Sequence, residues 1–224
     1  MTRLSFDIDD GSRVAPVIRR LVLAGYAGRG REHVEAHIEE MARQGVRRPG
    51  SVPTLWPVLP HLLTQAPMIE VYGTDTVPEV EYVLFTSGGH TYVTVGNDQC
   101  DVAVERDGSP EKSKNLCPKV VARTAWRLDE VLSHWDDLIL SLACEYRVMQ
   151  QGRLADLLRP GDLLTKVAES AGADREGRMV FSGTIVTQGI YPAGPYRLDL
   201  ALDDPVAGRS ISHSVTVSML APLK

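Results

Sequence analysis

The chain predicts an α+β fold, a single mixed domain dominated by β-structure, and three observations carry that prediction. Helical periodicity is confined to two stretches, residues 31–44 and 128–149. Short strand-like runs bounded by glycine, proline and aspartate recur along much of the rest, and the last third reads that way. A hairpin pattern, VPEVEYVLFTSGGHTYVTVGNDQC at residues 77–100, turns on a Ser-Gly-Gly.

Taken in order, residues 17–23 form a strand that leads into a glycine-rich turn from Gly25 to Gly30. From Arg31 to about Gln44 the period becomes helical, with Val34, Ile38 and Met41 on one stripe and Gly45 as the stop. Residues 47–67 hold five of the fourteen prolines. Such a stretch is neither continuous helix nor a central strand, so it is an ordered surface connector. Residues 68–72 are a strand, the hairpin follows, and the polar, lysine-rich residues 106–119 are a loop. Residues 128–149 give the longest helical pattern, with Leu128, Val131, Leu132, Trp135, Leu138, Ile139 and Leu142 as core positions. Strands at 178–188, 196–202 and 211–220 complete the chain. Residues 1–67 then hold a strand, a helix and the connector, and 68–224 hold the β-rich remainder, in one structural domain.

The 224 residues suffice for one sizeable core, and 43% hydrophobic with 24% charged is an ordinary globular composition. A net charge of −5, with basic residues scattered, excludes an electrostatic footprint for nucleic acid or for anionic membrane. No 18-residue apolar run occurs and the opening residues lack an apolar signal core, so a cytoplasmic location is expected. Cys100, Cys117 and Cys144 form no CxxC and cannot all pair, which argues against a disulfide framework.

The hairpin poses the chemical question. Val80, Tyr82 and Leu84 share one parity, while the other begins with Glu79 and Glu81 and returns to Asp98. With Gly88-Gly89 as a two-residue turn, Ser87 pairs with His90, Glu79 lies opposite Asp98 and Glu81 opposite Gly96. Directly opposed side chains are about 5 Å apart, and like charges there repel. A divalent ion would remove the repulsion, since carboxylate oxygens at about 2.0–2.1 Å suit magnesium, and manganese by the same preference. Gly96 would leave space beside Glu81 for water or substrate. The same spacing also fits an exposed acidic edge with no ion. On the earlier helix, Glu40 lies at i+3 from His37, where a carboxylate can orient an imidazole as a general base. The alternatives are a solvated surface pair, or His33 as the functional ring, although His33 has Ala36 at i+3.

In this order the motifs resemble the fumarylacetoacetase superfamily: His37-Ile38-Glu39-Glu40, the proline-rich stretch from Pro49 to Pro60, Glu79-Val80-Glu81 and Gly96-Asn97-Asp98. A lysine within Lys112-Ser113-Lys114-Asn115-Leu116-Cys117-Pro118, and Ser182-Gly183-Thr184, continue the series. Residues 22–81 and the tail LDDPVAGRSISH are similar to an uncharacterised prokaryotic branch of it. The resemblance implies a β-rich mixed-sheet roll of the fumarylacetoacetase C-terminal-domain type, with an N-terminal lid helix, assembled as a homodimer. It implies Glu79, Glu81 and Asp98 as ligands of Mg2+ (or Mn2+), His37 and Glu40 as a water-activating dyad, and Lys114, with Lys112 as the alternative, as the active-site lysine. Thr184 and Arg209 are assigned to the substrate, a small carboxylic acid. The implied reaction is hydrolytic C–C cleavage of a 1,3-dicarbonyl or 2-oxo acid through a metal-stabilised enolate. Decarboxylation, tautomerisation or hydration on the same centre is the alternative, and a catalytically silent ligand-binding protein is a third. Departures are present: the arginine expected shortly after Asp98 is absent, with Gln99-Cys100-Asp101-Val102 following it, the family's TGTP turn is reduced to Ser182-Gly183-Thr184 with Ile185 in place of proline, and Arg209-Ser210-Ile211-Ser212-His213 replaces a Gly-Asn end motif.

Overall fold

The computed structural model describes residues 1–43 and 48–220, without the side chains of His33, His37, Glu40 and Met41. It is an α+β fold in which mixed sheets predominate and the helices are few. A ten-stranded sheet runs Arg13–Val14, Phe6–Ile8, Thr124–Arg127, His90–Asp98, Val80–Ser87, Arg178–Phe181, Arg20–Gly25 and Thr54–Val58. Lys119–Val121 joins it beside His90–Asp98 and carries Leu63–Thr64. A five-stranded sheet runs Arg147–Arg153, Ile139–Cys144, Tyr196–Asp204, Arg209–Leu220 and Met68–Tyr72.

The central hairpin has the predicted register, with Ser87 opposite His90 and Glu81 opposite Gly96. Both of its faces are covered. Val80, Tyr82 and Leu84 enter the core shared with Leu140, Leu142, Leu198, Leu200 and Leu202 of the second sheet. Val83 and Phe85 enter a second core with Leu21, Leu23, Trp56 and Phe181. A strand buried on both sides is what places carboxylates of the odd parity at the edge of a core and not on a solvent face. The proline-rich stretch supplies the edge strand Thr54–Val58, where Pro57 costs no internal ladder bond.

The N-terminal helix spans Arg31–Arg43, and Val34 and Ile38 are buried as its stripe requires. Its predicted end at Gln44 and Gly45 lies outside the described residues. Its base is tied down: the Leu158 N–H donates to Ala27 O at 2.9 Å, and Arg29 forks onto Asp136 at 2.8 and 2.9 Å. Gly25 lets the Trp56 ring approach, since a Cβ there would sit 2.4 Å from it.

Residues 128–149 are not one helix. A short turn, Leu128–Val131, and a 3₁₀ segment, Leu132–Asp137, give way to the hairpin Ile139–Cys144 and Arg147–Arg153. Trp135 and Leu138 are fully buried as expected, but Leu132 is 45% exposed. The run ILSLAC alternates buried and half-buried residues, a strand period that the leucine spacing masks. Its turn residues Glu145 and Tyr146 both have positive φ, 48° and 66°, without the Asn-Gly or Asp-Gly that normally announces such a turn. Three further differences concern length and omission. The strand from Arg178 ends at Phe181, and the expected loop at 106–119 includes the helical turn Pro110–Ser113. The helix Pro160–Ala171 was not anticipated, although Pro160 at its start, the buried Leu163, Leu164 and Val167, and Gly172 at its end mark it in the sequence. All three cysteines are buried free thiols, and no helix among the described residues is long and apolar enough to cross a membrane.

Candidate metal centre

Glu79, Glu81 and Asp98 converge where the central hairpin ends. The Asp98 N–H donates to Glu79 O at 2.9 Å, which continues the ladder and sets these two residues side by side. One oxygen from each of the three carboxylates lies within 4.8 Å of the others. Glu81 and Asp98 are 1% exposed, and the Glu79 side chain retains 24%. This burial removes the solvated acidic edge that the spacing alone had left open.

Each carboxylate has a different partner. The Gly183 N–H donates to Glu81 Oε2 at 2.6 Å, from a backbone with φ of 85° that glycine adopts without strain. Lys114, at the end of the turn Pro110–Ser113, donates to Glu79 Oε2 at 2.6 Å and lies 2.7 Å from Asp98 Oδ2. Lys112 is exposed, so of the two candidate lysines only Lys114 is at the triad. Lys119, on the strand paired with His90–Asp98, sits directly opposite Asp98 and approaches its Oδ1 at 2.5 Å. Behind the ligands, Asn97 Oδ1 accepts from the Glu79 N–H, and Gln99 bridges Asn97 to Thr76 and the Tyr196 hydroxyl.

The electrostatics follow from this packing. Burial pushes the Glu79 carboxyl up to about 7 against the pull of Lys114. Burial, with Asp98 and Glu79 as like-charged neighbours, pushes Glu81 well above the usual carboxylate range. Burial acts the same way on Asp98, but Lys114 and Lys119 outweigh it and hold that group below its ordinary value. Burial disfavours the Lys114 ammonium, yet Asp98 and Glu79 raise it well above the ordinary lysine range. Three oxygen-donor side chains share two ammonium groups, and Glu81 forms no ion pair among the described residues. The donor set therefore fits a hard divalent ion.

The remaining expected residues divide. Thr184 abuts the centre: its hydroxyl donates to Val80 O at 2.9 Å and accepts from Gln150 Nε2 at 2.9 Å. Its proton is thus committed within the protein. Arg209 is elsewhere, 4.6 Å over the Trp126 ring and paired with Asp9, Glu130 and Asp204, so its contacts belong to the scaffold and not to the triad. Gly96 does not open space beside Glu81, because a Cβ there would meet Val120 O at 2.7 Å, Val83 at 2.8 Å and Phe181 at 2.9 Å. His37 and Glu40 lie on the helix Arg31–Arg43, and their side chains lie outside the described residues. Sequence reasoning missed Lys119 and the Gly183 N–H. A lysine opening the apolar run Val120-Val121 was the available signal for the first, and a backbone donor leaves none.

Solved structures share this fold. A proposed fumarylpyruvate hydrolase from Burkholderia cenocepacia superposes with a TM-score of 0.69 at 17% identity, covering 99% of this chain and 94% of that one. A 5-carboxymethyl-2-hydroxymuconate delta-isomerase from Mycobacterium smegmatis gives 0.62 at 12% identity, covering 95% and 84%. A 2-keto-3-deoxy-D-arabinonate dehydratase, solved with magnesium and 2,5-dioxopentanoate, gives 0.65 at 15% identity, covering 92% and 75%. Comparison with curated proteins yields no match. The model of a family described as protein of unknown function, DUF2848, matches residues 24–215. The chain belongs to that DUF2848 family, and it is built on the fold of the fumarylacetoacetate hydrolase family.

Proposed function

We propose that this protein is a divalent-metal-dependent hydrolase that cleaves a C–C bond of a 1,3-dicarbonyl 2-oxo acid, with magnesium or manganese as its ion. The observation that carries the reading is the buried triad of Glu79, Glu81 and Asp98 with Lys114 against two of its members. Neighbours of this fold are named as hydrolase, isomerase and dehydratase, and one was solved with magnesium and an oxo acid, which supports the reaction class.

Glu79, Glu81 and Asp98 would hold the ion, and when bound it would supply Lewis-acid polarisation of the substrate's carboxylate and 2-oxo oxygens. His37, oriented by Glu40, takes a proton from the water that attacks the second carbonyl carbon. The bond from that carbon to the carbon between the carbonyls then breaks. Its electron pair passes toward the 2-oxo group, where the Lys114 ammonium stabilises the negative charge. A proton delivered to the former central carbon completes the products, two carboxylic acids. Thr184 would hold a substrate oxygen by turning its hydroxyl proton away from Val80 O. The working unit is a cytoplasmic homodimer in this proposal.

The isomerase and dehydratase among the neighbours favour one second reading: the same centre acting by decarboxylation, tautomerisation or hydration, without water attack on a carbonyl. Turnover of acylpyruvates in labelled water separates the two. Magnesium- or manganese-dependent entry of water oxygen into the released acid is the expected result. Deuterium exchange or carbon dioxide release without that label would decide for the second reading. Silence across a panel of 2-oxo acids would leave a ligand-binding protein.

A further inference from the structure

Lys119 is a fully buried ammonium that the proposed chemistry does not use. It lies opposite Asp98 in the sheet, with Nζ 2.5 Å from Asp98 Oδ1 and donating to Gln99 O at 2.5 Å. Gln99 is itself fixed, since its side chain donates to Thr76 and to the Tyr196 hydroxyl. The two Asp98 oxygens are therefore given to two different ammonium groups, Oδ1 to Lys119 and Oδ2 to Lys114. Among the carboxylates of the described residues, Lys114 reaches two, whereas Lys119 reaches Asp98 alone, from the neighbouring strand opposite the one that carries Glu79.

Removing Lys119 alone would cost Asp98 one of its partners, but Lys114 already pairs that carboxylate, so pairing by itself gives no reason for a second buried lysine here. Charge does. With the three carboxylates ionised around a divalent ion, the two ammonium groups bring the loaded centre to one net positive charge. Without Lys119 the loaded centre would be neutral. A buried, fixed charge next to a ligand acts through the low-dielectric interior and is poorly screened by salt.

We propose that Lys119 sets the specificity of the loaded centre for anions, trading affinity for the divalent ion against affinity for a carboxylate-bearing chelator. This rests on the reading of the triad as a metal centre. Lys119 touches no substrate in this role; it acts on Asp98 and through its charge.

Calorimetry on the full chain tests it in two steps, Mn2+ into metal-free protein and then oxalate into Mn2+-loaded protein. Lys119→Gln keeps a donor at this position without the charge, and Lys119→Met removes both; circular dichroism identifies which variants fold. The expected result in a folded variant is a change of opposite sign: Mn2+ bound about tenfold tighter and oxalate about tenfold weaker or worse. A purely structural lysine would weaken both or neither, and either outcome overturns the proposal. Failure of the wild-type chain to bind Mn2+ would overturn the metal-centre reading first, before any variant is compared.

Discussion

Glu81 is held by one backbone donor, the Gly183 N–H, and burial with two like-charged neighbours raises its pKa. Such a group is stable either protonated or beside a cation, and the centre offers it Glu79 and Asp98 as co-ligands. At this scale the parity of the hairpin residues led to the three carboxylates, and the family resemblance, through the spacing of Lys114 from Cys117-Pro118, led to the lysine that stands at the triad. Arg209 could not be placed that way, because two of its carboxylate partners, Asp9 and Glu130, are remote in sequence, and its nearer one, Asp204, is five residues away. The role assigned to His37 is chemical and separate from ion binding, since its helix precedes the connector and the ligands follow it. His37→Ala should keep Mn2+ affinity while turnover falls by about 10²–10⁴. Calorimetry and steady-state kinetics on one preparation check this, and loss of Mn2+ binding in the variant would reassign the residue.

The elements that position the centre are the central hairpin and the segments laid across its end. Its register was legible because Gly88-Gly89 fixes the turn and both flanking runs alternate. The hairpin Ile139–Cys144 and Arg147–Arg153 was not, because its turn uses Glu145 and Tyr146 at positive φ and its leucines mimic a helical stripe. The tertiary hydrogen bonds of Glu145 with Arg197 hold that turn. Gly96→Ala is predicted to destabilise the protein by about 1–3 kcal/mol, as overpacking between Val120, Val83 and Phe181, and to weaken Mn2+ binding by spreading the strands. Denaturant unfolding measures the first effect, and unchanged stability would mean the sheet relaxes freely there. Trp135 stands edge-on to Tyr82, with ring centroids 5.0 Å apart. The Tyr82 hydroxyl donates to Leu158 O, next to the tie at the base of the helix Arg31–Arg43. Trp135→Ala should cost about 3–5 kcal/mol in the same assay.

For the whole molecule, the centre links stability to pH and to the ion. The folded chain raises Glu79 from 4.5 to about 7 and raises Glu81 as well. Without a divalent ion it therefore retains protons that the unfolded chain releases. The stability this brings is complete below about pH 4.5 and is lost as pH rises through about 7. Asp98, depressed by its lysines, works in the opposite sense below its ordinary 3.8, so it does not enter that window. The melting temperature of metal-free protein should fall from about pH 5 to about pH 8, and Glu81→Gln should flatten the fall. Equal slopes in the two proteins would contradict the assignment. Saturating Mg2+ or Mn2+ should reverse the trend, since the ion binds the deprotonated triad. The central claim, one divalent ion among Glu79, Glu81 and Asp98, is tested most directly by titrating Mn2+ into metal-free wild-type and Glu81→Gln protein by calorimetry. One site per chain in the wild type, absent in the variant, is predicted; identical isotherms, or no binding to either, would contradict it.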